Sequence, residues 1–203
     1  MRTIFSTLIV VVMSLSNLNA APTRVLKSHY DVSEYATIED AGGSAVVRHL
    51  NSAKKVAGGF KRGIAKKTSK AFVLGVNGFE KVTNDPSVDF STTYDINERN
   101  EAEGAINTLT NTRPFRSKQL KSFHHLNLLL GDKDGIAYGL KNNGEAIGYS
   151  CGKSGKQAVW WSSTSVIHAL ESLPESSSTH AKDINDSGEI VGTATGTIKR
   201  AVL

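Results

Sequence analysis

An all-β fold built from four copies of one short unit is what this sequence predicts, and three observations predict it. Residues 47–58, 93–104, 137–148 and 181–192 align without gaps and end on Gly58, Gly104, Gly148 and Gly192, spaced by 46, 44 and 44 residues. Seven positions before each glycine stands Asn51, Asn97, Lys141 or Asn185, preceded by Leu50, Ile96, Leu140 or Ile184. Within each segment apolar and polar residues alternate, as in a half-buried strand, and then give way to turn-forming residues. The register continues downstream through Ala71-Phe72-Val73-Leu74, Pro114-Phe115-Arg116, Ala158-Val159-Trp160-Trp161 and Ala201-Val202-Leu203.

The first element in chain order is a leader. Arg2 precedes an acid-free apolar run from Ile4 to Leu15, a polar stretch and the small pair Ala20-Ala21. This is the layout of a cleavable signal peptide over residues 1–20. Ser6, Thr7, Ser14, Ser16 and Asn17 interrupt the run before it reaches the roughly 18–20 apolar residues of a membrane span, so the anchor reading is the weaker one. The expectation is a secreted chain, extracellular or periplasmic, with no transmembrane segment after cleavage.

The mature part reads as one repeat domain over residues 21–203, with repeats at 44–90, 91–134, 135–178 and 179–203. In each repeat a first strand ends in the aliphatic residue and the Asn or Lys that follows it. Asn185-Asp186-Ser187-Gly188 and Asn142-Asn143-Gly144 supply the turn, since Asn and Asp fold back on local backbone and glycine accepts positive φ. A second strand ends on the repeat glycine, which leaves room for a close neighbouring backbone. The Ala-Phe/Val stretch is the third strand, and residues 79–82, 120–126 and 166–170 supply a fourth. Four short strands in about 45 residues match one blade of a β-propeller, a sheet that must stack on its neighbours to bury its faces. The last copy stops at its third strand, while residues 29–35 form an unassigned strand-like piece. The predicted fold is therefore a four-bladed propeller of antiparallel four-stranded blades, closed by the N-terminal strand 29–35, with an open solenoid as its rival.

The unit resembles the HAF repeat of bacterial extracellular proteins. Residues 181–192 match it best, and Ala71-Phe72-Val73-Leu74 and Ala158-Val159-Trp160-Trp161 resemble its closing element. Asp40-Ala41-Gly42-Gly43 is similar to the segment that precedes such a repeat. The chain departs from the pattern where Lys70, Arg113, Gln157 and Arg200 replace its histidine and where Lys141 replaces asparagine. The resemblance implies export and a propeller-like fold, and it implies no catalytic residues.

Functional candidates lie in what does not repeat. The net charge is +5. No acid occurs between Ser44 and Phe79, where Arg48, Lys54, Lys55, Lys61, Arg62, Lys66, Lys67 and Lys70 are basic. Such a stretch suits nucleic acid, anionic lipid or an acidic glycan, or is simply a solvated loop; export, and the lack of interleaved stacking aromatics beyond Phe60, argue against nucleic acid and favour the loop. Lys61, Arg62, Lys66 and Lys67 are its candidate ligand-binding residues. Trp160 and Trp161, adjacent in a strand, must face opposite sides, so one belongs to the core and the other either packs between blades or stacks on a sugar.

Several motifs dissolve on inspection. Gly148-Tyr149-Ser150-Cys151-Gly152 fits G-x-S-x-G, but a loop follows it where a nucleophile elbow needs a helix. Asp183-Ile-Asn185-Asp-Ser187-Gly188 resembles a calcium loop whose closing acid is replaced by Ala194, which favours an Asx-stabilised hairpin. Cys151 is a single cysteine and reads as a small buried or half-buried residue rather than a reactive thiol. His29, His49, His124, His125, His168 and His180 do not recur at one repeat position, so no catalytic ring is expected. No cofactor or metal is expected. The function expected is an exported, non-catalytic binding protein for a protein or glycan. A structural envelope or matrix component, and a hydrolase or lyase with a site built across blades, are the alternatives.

Overall fold

The computed structural model describes residues 5–15, 30–41, 44–62, 68–75, 78–83, 88, 90–108, 110–119 and 122–203. The fold is all-β. Strands β1 (Phe5–Leu15) and β2 (Tyr30–Ala41) form an antiparallel pair, and three meanders of four strands and one of three follow. Unit 1 comprises β3 (Ser44–Leu50), β4 (Val56–Arg62), β5 (Thr68–Gly75) and β6 (Gly78–Lys81). Unit 2 comprises β7 (Phe90–Ile96), β8 (Ala102–Asn107), β9 (Thr112–Gln119) and β10 (Ser122–His125). Unit 3 comprises β11 (Asp134–Leu140), β12 (Ala146–Gly152), β13 (Gly155–Trp161) and β14 (Ile167–Ala169). Unit 4 stops at three strands, β15 (Ser178–Ile184), β16 (Ile190–Thr195) and β17 (Lys199–Val202). A single parallel pairing, Ser69 with Phe90, links the sheets of units 1 and 2. No sheet closes on itself, and among the described residues no helix occurs.

Each repeat signature has a structural cause. The conserved-register asparagine ties its turn: Asn51 Oδ1 accepts the Lys55 N–H, Asn97 Oδ1 that of Glu101, and Asn185 Oδ1 that of Glu189. In unit 3, where Lys141 stands at that position, Asn143 Oδ1 accepts the Glu145 N–H instead. Four positions before each repeat glycine the backbone is left-handed, at Lys54 (φ 59°), Asn100 (63°), Gly144 (87°) and Gly188 (90°). Units 3 and 4 place glycine there, which carries no steric cost in that region. The repeat glycine itself is dictated by a close approach: a Cβ at Gly58, Gly104, Gly148 or Gly192 would lie 2.1, 1.9, 1.9 or 2.1 Å from the carbonyl oxygen of Val46, Thr92, Ile136 or His180.

Units stack face to face. Ala57, Ala71 and Val73 of unit 1 pack on Ile96, Ala102, Ile106 and Phe115 of unit 2, and Ile147, Ala158 and Trp160 of unit 3 pack on Ala181, Ile184 and Ile190 of unit 4. The Ser91 and Thr179 hydroxyls accept the N–H groups of Ala71 and Ala158 of the preceding unit, each at 2.8 Å. At the corresponding junction between units 2 and 3 both partners are absent together: Pro114 has no N–H to satisfy, and Gly135 has no hydroxyl.

One interface breaks the apolar rule. Across β4 and β5 the paired residues facing the next unit are Ala57 and Val73, and in unit 3 they are Ile147 and Trp160. Unit 2 has Glu103 opposite Arg116. Both are fully buried, and Arg116 donates from Nη1 to the carbonyls of Ser162 and Ser163 in unit 3 at 3.2 and 3.3 Å. Neither Glu103 oxygen has a hydrogen-bond partner. Burial drives the Glu103 carboxyl well above its ordinary range, only partly opposed by the Arg116 charge.

The expected closure by strand 29–35 takes a different form here. His29 lies outside the described residues, and Tyr30–Ala41 pairs with Phe5–Leu15 rather than with β17, which stays an edge. The apolar, β-branched run around Val10-Val11-Val12 is a strong strand former and supplies Tyr30–Ala41 with a partner.

Candidate functional site

The leading strands of the four units, β3, β7, β11 and β15, lie side by side. Each carries a β-bulge at the same place, with register shifts between Val47 and His49, Thr93 and Asp95, Ala137 and Gly139, and Ala181 and Asp183. The extra residue is Arg48, Tyr94, Tyr138 or Lys182, always ten positions before the repeat glycine. A bulge takes one residue out of the ladder and re-aims its side chain. The glycine opposite is part of the same device, since the bulged strand presses its carbonyl onto that glycine.

The four bulge side chains meet. The Arg48 guanidinium lies 4.6 Å over the Tyr94 ring, Tyr94 contacts Tyr138 edge to face at 4.9 Å, and the Lys182 ammonium lies 3.9 Å over the Tyr138 ring. The row continues into units 3 and 4, where Tyr138 touches Tyr149, Tyr149 stacks on His180 at 5.0 Å, and Lys156 lies 4.6 Å over Tyr149. Burial raises the phenols of Tyr138 and Tyr149, the latter to about 12, so both stay neutral hydroxyls near neutral pH. His180 is pushed down to about 4, first by burial and then by Lys156, Lys182 and Lys199, and it remains an uncharged ring.

One residue further along each leading strand are His49, Asp95, Gly139 and Asp183. His49 Nδ1 and Asp95 Oδ1 are 2.9 Å apart. Asp95 is nearly buried and also accepts the N–H groups of Ile96 and Leu140, each at 2.7 Å. The hydrogen bond from Asp95 holds His49 above its ordinary pKa against the effect of burial, with the charges of Asp95, Asp183 and Glu98 adding to it. At the turns beyond, each unit is tied to the next. Glu98 accepts the Ser52 N–H at 2.8 Å, Asn142 accepts the Glu98 N–H at 2.9 Å, and Asp186 accepts the Asn142 N–H at 3.1 Å.

The sequence candidates fare differently. Lys61 and Arg62 end β4, with side chains outside the described residues, as are Lys66 and Lys67 altogether. Trp161 is fully enclosed and donates from Nε1 to the Asn127 carbonyl at 2.7 Å. Trp160 is half-buried, packed between units 3 and 4 and stacked on His168 at 4.3 Å. The two rings thus face opposite sides of β13, Trp161 into the core and Trp160 toward unit 4. Ser150 is buried within β12 and donates to Asp132 Oδ2 at 2.6 Å, so the G-x-S-x-G run is strand rather than an elbow. The Asp183–Gly188 stretch spends its oxygens on protein N–H groups: Asp183 on Ile184, Asn185 on Glu189, and Asp186 on Asn142. Cys151 is half-buried, its thiol raised by burial.

A cavity of about 270 Å³ lies between units 3 and 4 beside β17, lined by Ala158, Leu170, Ile190, Val202 and Leu203 with His180 at its edge. It sits where the other units carry a fourth strand. Sequence reasoning missed the bulge cluster because its members differ in type. A signal existed, in that the tenth position before each glycine holds only cations and tyrosines. Compared with known proteins, the chain matches no family model and no curated protein.

Proposed function

We propose that this chain is an exported, non-catalytic binding protein of the HAF-repeat kind, a propeller-like scaffold that holds a glycan on the side chains of its leading strands. One observation carries the reading: the bulge residues of all four repeats, Arg48, Tyr94, Tyr138 and Lys182, gather into a single cluster. Bulges that recur at one register position and aim aromatic and cationic groups together are what a sugar-binding surface needs, apolar ring faces beside hydrogen-bond donors. Binding of the full chain to an immobilised glycan panel tests it, with Tyr138→Ala as the variant. Binding that weakens in the variant supports the reading, and a panel without a single ligand sinks it.

The finer architecture is a four-bladed ring, completed when removal of residues 1–20 frees the strand near 29–35 to join β17. Two features support this. The carbonyls of Ala71, Pro114 and Ala158 accept N–H groups of Val82, Leu126 and Leu170, whereas Ala201 at the same position has no such donor among the described residues. The charge of Asp183, in unit 4, also reaches His49 in unit 1. Paired cysteines at Val32 and Ala201 should cross-link in the processed chain, and their failure to do so under oxidising conditions argues for an open array.

The His49–Asp95 pair, with Asp183 from a third unit, favours a second reading, a hydrolase or lyase built across units. It requires release of new reducing ends from a bound glycan, abolished in His49→Ala. A bound glycan recovered intact removes it.

A further inference from the structure

The cluster on the leading strands gathers cations that are paired with tyrosine rings and not with carboxylates. Arg48, Lys156 and Lys182 each lie over a tyrosine ring, and Lys199 adds its charge from β17. Among the described residues, no carboxylate forms an ion pair with any of these four. Lys182 is depressed by burial and then by Lys156 and Lys199, which are like charges. Of the acids beside the cluster, Asp183 accepts the Ile184 N–H and Asp134 the Thr112 N–H. Asp95 is held by His49 and two backbone N–H groups, while Glu98 and Asp186 clamp turns. Cations gathered on neutral aromatic rings form a surface that an anion stabilises.

The fold also says what kind of anion. An extended peptide docks on a sheet through a continuous main-chain ladder, and the bulge in every leading strand interrupts that ladder beside the cluster. Recognition there falls to side chains. Tyrosine rings bordered by charge-assisted donors suit a ring-shaped ligand carrying carboxylates.

Resting on the glycan-binding reading above, we infer that the ligand is an acidic polysaccharide of the uronate class, its carboxylates taken by Arg48, Lys182 and Lys156. The test is calorimetric titration of the full chain with four probes: an oligogalacturonate, its methyl ester, a neutral cello-oligosaccharide and poly-L-glutamate. The oligogalacturonate should bind at least about tenfold tighter than its ester, the scale of one lost charge-assisted hydrogen bond. Its affinity should fall with added salt. Arg48→Ala and Lys182→Ala should each weaken it by a similar factor, with unchanged thermal melts because both side chains are exposed. Equal binding of acid and ester overturns the inference and leaves glycan binding standing. Poly-L-glutamate bound as tightly as the oligogalacturonate overturns it in favour of an acidic protein partner. No binding of any saccharide overturns it together with the reading on which it rests.

Discussion

Replacing Glu103 and Arg116 together by Leu and Met should stabilise the protein and remove a specific pH dependence. These two residues occupy a position that is apolar at both other stacked interfaces, Ala57 with Val73 and Ile147 with Trp160. Buried charged side chains exchanged for apolar residues of similar volume commonly give a gain of about 1–4 kcal/mol. The two Arg116 hydrogen bonds to Ser162 and Ser163 are lost, at about 1 kcal/mol each. A net gain of up to about 2 kcal/mol at pH 7 follows. The sign of the pH term comes from Glu103, whose folded pKa is raised by burial. Its folded state binds the extra proton, so its contribution is fully present below about pH 4.3, the unfolded value, and is lost as pH rises toward the folded one. Within that window one such group costs about 1.4 kcal/mol per pH unit. Urea melts of wild type and double variant between pH 4.5 and 7.5 measure the difference directly, because the distant carboxylates cancel. Parallel stability curves, or a double variant weaker than wild type at pH 7, would refute the reasoning.

Other consequences are open to direct measurement. Lys54→Gly relieves the one left-handed lysine at a position where units 3 and 4 already use glycine, and should raise stability by about 0.5–1 kcal/mol in a thermal melt. Gly148→Ala drives a methyl into the Ile136 carbonyl at 1.9 Å and should cost about 1–3 kcal/mol, read as a lower urea midpoint with unchanged slope. Ser91→Ala leaves the buried Ala71 N–H without its acceptor and should cost about 1–3 kcal/mol by the same assay. The His49 ring should titrate above the ordinary histidine value in an NMR pH series, and Asp95→Asn should bring it down. Because that folded value is raised, its stabilising contribution is complete below about pH 6.5 and fades as pH climbs through it.

Much of the fold was legible because repetition amplifies weak signals. A glycine recurring at four register positions and an asparagine at three, each with its aliphatic neighbour, marked hairpins that form at Asn51, Asn97, Lys141 and Asn185. The close-approach role of the repeat glycine followed from its place at a strand end, and the observed contacts with Val46, Thr92, Ile136 and His180 explain it. The bulges were invisible, since a residue withdrawn from a ladder leaves no trace in alternation alone. Hence the shared position of Arg48, Tyr94, Tyr138 and Lys182 left no mark in the pattern, whereas the adjacent Trp160 and Trp161 stood out. Glu103 and Arg116 were hidden for the opposite reason, charged residues in strands being read as solvent-facing. The partner of Tyr30–Ala41 depends on competition between two available strands, which pattern does not rank.

The clamps between successive turns point one way along the chain. Each turn has its N–H capped by a side chain from the unit that follows it: Ser52 by Glu98, Glu98 by Asn142, and Asn142 by Asp186. The turn of each of the first three units is therefore fully bonded only when the following unit is packed against it. Among the described residues the Asp186 N–H has no capping side chain, so its amide should exchange faster than those of Ser52, Glu98 and Asn142.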